Sequence, residues 1–569
     1  MNRTGLQKLA DVPQYGRWQA VFAGTGVVDS VRLTGPDGCQ CLRPVFQHQP
    51  ANRAYDRHGY ESITPTSAPV YAARFSPSLP GAWRCAWLRG STVVQEDRFG
   101  CVPDGHPGYV EISRHDPRYF SFTNGQPYVA IGLNLCVPPR FALAKGGEFE
   151  RSEQFATLGV REYERWFQLL AANGGNYARL WLSALGFAVE GAAAGQLDLL
   201  TFTRLDAVVA AARHRGIRLK LCLEHFRRVT AGSGPDFFRR ELHDPQTMAQ
   251  PANMDDWFHN PLWQQLWWQK IDAYLARYGD DPVVMAWELW NEIDCCQTSA
   301  WAIQRDWTEK TLRAIKHRSP RNLVTNSLGS FDYDDKQVGQ DDFKMAAMDF
   351  QQVHRYLDQG AGLTCCQTDP VAMSVDAVQR ARRSDRPIIL TETGAVDDCH
   401  TGPFRYYRWD DAGLIFHDTT YPAWFAGAAG SGHIWHWDVY VDQKNLWPGF
   451  RALADAIRGV AVDREEFTAV DLSTPACWCL ALRGRTVTLA WIRNRTDRWD
   501  LVLRDGQPPV RLTDISFDLC AAGQTPQTVR LFRPWPQDGL GEPILLENRV
   551  SLPAFQHGLV MRIDHPIQE

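Results

Sequence analysis

Apolar residues follow three different patterns along the chain. From residue 13 to about 112 they show no helical period, and Gly, Pro and Asp interrupt the chain roughly every 8–12 residues, the spacing of short strands and turns. Arg17–Phe22, Val31–Leu33, Val70–Phe75 and Ala82–Leu88 are the candidate strands. From Tyr119 the pattern alternates between buried-type apolar runs and amphipathic stretches. Tyr128–Asn134, Tyr177–Leu182, Arg218–His225, Val283–Trp290, Leu323–Asn326, Asp349–Tyr356, Pro387–Gly394 and Gly432–Trp437 read as strands, and helices are predicted near 160–173, 201–215, 261–278, 300–317, 371–384 and 411–428. After about residue 459 short strands return, at Cys477–Leu482, Thr486–Ile492 and Thr528–Phe532.

Eight strands with helical segments between them predict an α/β fold, a (β/α)8 TIM barrel, flanked by an N-terminal β-sandwich and a small C-terminal antiparallel β domain. The expected limits are 1–112, 113–458 and 459–569. A dinucleotide-binding sheet would need a Gly-rich turn after its first strand, and Asn134–Pro139 supplies none. No repeat or low-complexity linker separates the three parts, so they are expected to pack together.

A length of 569 residues exceeds one ordinary core, in keeping with this division. The net charge of −5 provides no basic field, which argues against nucleic acid and anionic membrane as partners. No apolar run is long enough to span a bilayer, and Met1–Ala10 lacks the apolar core of an export signal, so a cytoplasmic location is expected. The fourteen cysteines include the adjacent pairs Cys295/Cys296 and Cys365/Cys366 and the next-but-one pairs Cys39/Cys41 and Cys477/Cys479. Such spacings give poor disulfide geometry and no zinc motif, so reduced thiols are expected. Nothing in the sequence speaks to oligomeric state.

Two of the predicted strands end in carboxylates, Trp287-Glu-Leu-Trp-Asn-Glu292 and Thr391-Glu392-Thr393-Gly394. In a parallel barrel both ends open on one face, where two acids can meet over a bound molecule. A glycosidic oxygen leaves poorly without a proton, and the oxocarbenium-like carbon calls for a carboxylate on its other face. Glu288, deeper in its strand, reads as buried and paired. Glu224 and His225, at the end of strand three, are also expected to face the mouth.

These motifs resemble clan A of the glycoside hydrolases, in a family 5-like form, with the resemblance covering roughly 119–458. It implies that Glu292 is the general acid/base and Glu392 the nucleophile of a retaining reaction. Matched one at a time, Arg179 resembles the second-strand arginine that hydrogen-bonds the nucleophile. His354 and Tyr356 resemble the sixth-strand pair, Asn291 the donor to the sugar 2-hydroxyl, and Trp435 and Trp437 the aromatic platform, with Trp435 the better candidate. His225 is added as a possible hydroxyl contact from its position alone.

The resulting expectation is a retaining β-glycoside hydrolase with a carbohydrate substrate, no cofactor and no metal. Long segments after strand one (Cys136 to about Gly159) and strand five (Asp332–Phe343) could wall a pocket and favour exo action. An endo-acting cellulase- or mannanase-like glycanase and a non-catalytic carbohydrate-binding protein on the same scaffold remain the alternatives.

Overall fold

The computed structural model describes residues 7–566 apart from 138–140, 144–148, 152–158, 184–185, 226–228, 230–241, 331, 334–343, 399, 401, 520–526 and 547–548. Much of both segments expected to wall a pocket therefore lies outside the described residues.

The N-terminal strands form two layers. One sheet runs through Gln7–Lys8, Thr92–Val102, Gly81–Arg89, Ser30–Thr34 and Gln40–Pro44, and the other through Trp18–Val21, Val70–Phe75 and Phe46–His48. Trp18, Val31, Leu33, Trp83, Trp87 and Phe99 fill the space between them. Trp18 stacks on Phe99 with ring centroids 4.9 Å apart. Thr92–Val102 was not predicted, because only alternate residues in its second half are buried and its first half is polar or exposed.

The centre of the chain is the barrel. Parallel pairing runs without interruption from Gly132–Asn134 through Tyr177–Trp181, Arg218–Glu224 and Val284–Trp290 to Leu323–Thr325, and again between Gln351–His354 and Ile388–Glu392. Strands two, three, four and seven are buried at every position, as a sheet covered on both faces requires. Strands five and six are joined more loosely, by the Asp349 N–H to the Val324 carbonyl (2.9 Å) and the Thr325 hydroxyl to the Phe350 carbonyl (3.0 Å).

The eighth position differs from expectation. Gly432–Trp437 is not a continuous strand: Gly430 bridges Ala130 just before strand one, Ile434 bridges Thr393 after strand seven, and Trp437 opens a π-helical turn, Trp437–Asp442. Close backbone approach explains the glycines here. A Cβ at Gly430 would lie 2.4 Å from the Ala130 carbonyl oxygen, and one at Gly432 2.2 Å from that of Thr419.

Helices Gly159–Ala172, Leu199–His214, Pro261–Tyr278, Trp301–Arg318, Pro370–Ala381 and Leu414–Phe425 surround the strands. The last is buried along its whole length, because it lies between the barrel and the C-terminal sheet strands Cys477–Arg483 and Val487–Asn494. That sheet continues through Gly558–Asp564 to Thr528–Phe532, with Thr468–Asp471 on its other edge. The twelve described cysteines are free thiols. Among the described residues no helix is long and apolar enough to cross a membrane.

A buried ion pair fastens the N-terminal layers to the barrel. Arg74 donates to both oxygens of Asp206, on helix Leu199–His214, at 2.6 Å each, and the Tyr278 hydroxyl donates to the same carboxylate at 2.6 Å. Burial alone would raise the Asp206 pKa, but Arg74 outweighs it and holds the carboxyl down at about 2. Asp206→Ala leaves a buried guanidinium and phenol without their acceptor, a loss of about 3–5 kcal/mol. The apparent melting temperature of that variant, read by differential scanning calorimetry, should fall by several degrees, and an unchanged value would show that the pair does not fasten the two parts.

Candidate active site

Strand four ends at Trp290 because the chain turns sharply two residues later. Glu292 sits in the left-handed region (φ 53°, ψ 56°), its N–H donates to the Ser327 hydroxyl at 3.1 Å, and a short 3-10 turn, Ile293–Cys295, follows. A left-handed conformation costs a residue with a Cβ roughly 1–2 kcal/mol, and here it lifts the Glu292 carboxyl over the barrel mouth. Glu392 is the last residue of strand seven and needs no such turn.

The two carboxylates face each other across His354. Its Nδ1 lies 2.8 Å from Glu292 Oε1 and 3.4 Å from Glu392 Oε2, and one oxygen of each glutamate and the imidazole nitrogen all fall within 4.8 Å of one another. Burial pushes the His354 pKa down to about 4, against the pull of Glu392 and with the help of Arg179, so the ring is neutral at physiological pH. Nε2 is buried without a hydrogen-bond partner while Nδ1 faces carboxylate oxygens, which assigns the single ring proton to Nδ1.

Arg179, at the centre of strand two and fully buried, organises the floor. Nε and Nη2 donate to the Glu288 oxygens at 2.6 and 2.8 Å, Nη2 also to Asn291 Oδ1 at 2.5 Å, and Nη1 to Asn134 Oδ1 at 3.3 Å and to Glu392 Oε1. The Tyr356 hydroxyl donates to the other Glu392 oxygen at 2.6 Å. Both oxygens of Glu392 are thus held from below and from the side, which fixes the direction of the carboxylate.

Glu288 is indeed internal. It also meets Lys220 Nζ at 3.3 Å and accepts from Gln352 Nε2 at 3.1 Å. Burial would raise its pKa, but Arg179 and then Lys220 carry it well below the usual carboxylate range. Burial also lowers the Lys220 pKa, to about 8, with Glu288 opposing that shift.

Asn291 is fully buried, its amide oxygen taken by Arg179 and its Nδ2 left without a partner. An unsatisfied buried donor beside two carboxylates is a place for a ligand oxygen. Trp435 is half-buried and packs against Trp181, with centroids 5.0 Å apart. Trp437 lies behind it, buried and edge-on at 5.4 Å, which makes it the support and Trp435 the exposed surface. His225 stacks on Trp181 at 4.9 Å and its Nδ1 meets the Ser183 hydroxyl at 2.6 Å, on the same side of the mouth as Trp435.

Glu224, expected beside His225 at the mouth, is turned outward instead. Its carboxylate accepts from Trp267 Nε1 at 3.1 Å and pairs with Lys270, both on helix Pro261–Tyr278. Successive strand residues point to opposite faces, so the residue before His225 faces the helices.

Sequence reasoning missed Asn134, Lys220, Gln352 and Trp181. All are polar or aromatic residues in predicted strands or next to their ends, a signal that was present and not used. It also missed Asp332, Asp358 and His400, which come from three loops and carry no motif. In both this cluster and that of Glu292, His354 and Glu392, carboxylate and imidazole atoms approach within 4.8 Å, but a His–carboxylate hydrogen bond of 2.8 Å already occupies each.

Residues 145–411 match the family model for cellulase (glycosyl hydrolase family 5). A mannan endo-1,4-beta-mannosidase 4 from Oryza sativa subsp. japonica is 28% identical over 215 residues, 34% of this chain and 46% of that protein. A mannan endo-1,4-beta-mannosidase F from Aspergillus fumigatus is 34% identical over 121 residues, 21% of this chain and 25% of its own length. The chain therefore spans less than half the length of these two relatives. Among solved structures, a candidate glycoside hydrolase from Bacteroides vulgatus aligns over 98% of this chain and 100% of its own, with a TM-score of 0.57 at 13% identity. A second, described as a glycoside hydrolase, covers 81% of this chain and 98% of its own with a TM-score of 0.50 at 12% identity. From its central family match and its likeness in fold from end to end, this chain is built on the clan A glycoside hydrolase fold, in its family 5-like form.

Proposed function

We propose that the protein is a retaining β-glycoside hydrolase in which Glu392 is the nucleophile and Glu292 the general acid/base. The supporting observation is the approach of the two carboxylates, with oxygens within 4.8 Å of each other across His354. Inverting enzymes hold their carboxyls about 6.5–9.5 Å apart to admit a water, whereas retaining ones hold them at about 5–5.5 Å. At the shorter spacing the carboxylate itself must attack.

In the first step Glu392, aimed by Arg179 and Tyr356, forms a bond to the anomeric carbon as Glu292 gives its proton to the departing oxygen. In the second, water attacks the same carbon, Glu292 takes a proton from it, and the bond to Glu392 breaks. Neutral His354 donates from Nδ1 to Glu292 and keeps that carboxyl turned toward the leaving oxygen. The open Nδ2 of Asn291 suits the sugar 2-hydroxyl, where a hydrogen bond strengthens in the transition state. Trp435 offers the ring face on which the sugar rests.

The relatives' names point to β-1,4-linked mannan as the substrate class. For mode of action we favour exo cleavage. A hairpin formed by Phe141–Leu143 and Phe149–Arg151 after strand one lies beside the turn Trp437–Asp442, which follows Trp435 in the chain. A chain bound there would be stopped past its terminal sugar. Endo cleavage, as the relatives' names state for them, is the second reading.

Three measurements test these assignments. Glu292→Gln and Glu392→Gln should each lower kcat at least 1000-fold, on the order of the loss of one essential catalytic group, and azide should rescue Glu392→Gly as a glycosyl azide of inverted configuration. Near-wild-type turnover by either Gln variant would remove that glutamate from its role. Proton NMR of the first sugar released from a β-linked substrate should show the β-anomer before mutarotation, and an α-anomer would refute the double displacement. With reducing-end-labelled β-1,4-mannohexaose, exo action from the other end gives unlabelled mannose and labelled mannopentaose as the early products, whereas an early spread of labelled lengths would establish the endo mode.

A further inference from the structure

The reaction outlined above leaves one cluster at the barrel mouth unused. Asp332 follows strand five, Asp358 follows strand six, and His400 is carried by the loop after strand seven. That loop is closed by a bridge between Val396 and Pro403 and by the Asp397 N–H to the Gly402 carbonyl at 3.0 Å, and His400 stands at its tip with φ 58°. A left-handed histidine is uncommon and persists where the surroundings over-determine it.

Here the surroundings are two carboxylates. His400 Nδ1 lies 2.8 Å from Asp358 Oδ2 and 3.5 Å from Asp332 Oδ2, while the remaining Asp358 oxygen accepts from the Gly360 N–H at 2.8 Å. Both aspartate side chains are only 3% exposed, yet that of His400 is 38% exposed. The imidazole is therefore gripped on its Nδ1 edge, and Nε2, on the open edge, has no hydrogen-bond partner among the described residues. Burial would lower its pKa, but the bond to Asp358 and the charges of Asp332 and Glu292 raise it above the ordinary value, a shift in favour of the form with hydrogen on both ring nitrogens.

Position tells what that donor can meet. The line from Glu292 to Glu392 divides the mouth: Asn134, Trp181, His225 and Trp435 lie on the side of strands one, two, three and eight, and Asp332 and Asp358 on the side of strands five and six. His400 packs edge-on against Tyr356 at 5.4 Å, one residue removed from the nucleophile. A sugar resting on Trp435 must send its leaving group across that line, past Glu292, into the second half. Tyr333, next to Asp332 in the chain and 45% exposed, is held on that side with its hydroxyl 3.3 Å from the Gly360 carbonyl.

We propose that His400, held by Asp332 and Asp358, donates a hydrogen bond from Nε2 to a hydroxyl of the sugar unit being displaced, and so selects for a carbohydrate leaving group. This rests on the retaining glycosidase reading, with His400 as a binding residue and Asp358 as a positioning residue.

The test compares two leaving groups on one glycone. 2,4-Dinitrophenyl β-glycosides of mannose, glucose and galactose, and the corresponding β-1,4-linked trisaccharides, are assayed with wild-type protein, and the best-cleaved pair is used for the variants. His400→Ala should lower kcat/KM for the trisaccharide at least 10-fold, about what one charge-assisted hydrogen bond supplies, and leave the dinitrophenyl glycoside within about twofold. Asp358→Asn should show the same selectivity with a smaller loss. Equal losses on both substrates would mean that the cluster only maintains the fold, and no loss on either would mean that the leaving sugar does not meet His400; each outcome overturns the proposal. If wild-type protein cleaves neither class while folded, the glycosidase reading itself fails, a result distinct from these two.

Discussion

Everything at the barrel mouth depends on one buried guanidinium. Arg179 has five N–H donors and no acceptor, and the structure directs them to residues from three other strands or strand ends: Asn134, Glu288, Asn291 and Glu392. Taking such a cation out of water costs several kcal/mol, which is offset only if every donor is used and opposite charge is close by. Glu288 serves that purpose from below. Glu288 and Glu392 together balance Arg179 and Lys220, so that the remaining arginine bonds can fix Asn291 and Glu392 without leaving a net buried charge. A lysine could not take this place, because a single ammonium cannot reach all of these acceptors with a planar fork.

The same constraint explains what the sequence disclosed. Strands two, four and seven are short apolar runs that end in Arg179, Glu292 and Glu392 or contain them, and an ionisable residue in such a run stands out because burial without a partner is prohibitive. Glu288 was readable for the same reason. The eighth position was harder. Its backbone must pass so close to Ala130 and Thr419 that two glycines interrupt it, and a run broken in this way pairs through single bridges instead of a ladder. Apolar residues at 432–437 signalled burial correctly, but burial does not distinguish a strand from an irregular segment.

Side-chain direction was the second limit. Glu224 and His225 are adjacent at the end of strand three, and only the pleat decides that one meets Lys270 on a helix while the other meets Ser183 and Trp181 at the mouth. A one-residue difference in where a strand ends reverses that assignment, and strand ends are where sequence patterns are least sharp. Loop residues lie further still from what a pattern can show. Asp332, Asp358 and His400 are separated in sequence and have no apolar period to mark them, since their meeting depends on how three loops fold over the barrel.

The flanking β layers meet the barrel far from this chemistry. Asp206 and Asp418 both lie on outer helices, and each is paired with an arginine from a flanking sheet, Arg74 at 2.6 Å and Arg493 at 2.8 Å. Arg493 also holds Asp497 and the His557 carbonyl, so the C-terminal sheet is tied internally by the same side chain that ties it to the barrel. Buried pairs of this kind add little net stability compared with apolar contacts, but their geometry admits only one docking position. The helix carrying Asp418, Leu414–Phe425, leads into Gly430 and Ile434 and from there to Trp435. Because the eighth position lacks a full ladder of its own, the fixed docking of that helix against the C-terminal sheet is what holds the segment carrying Trp435 in place.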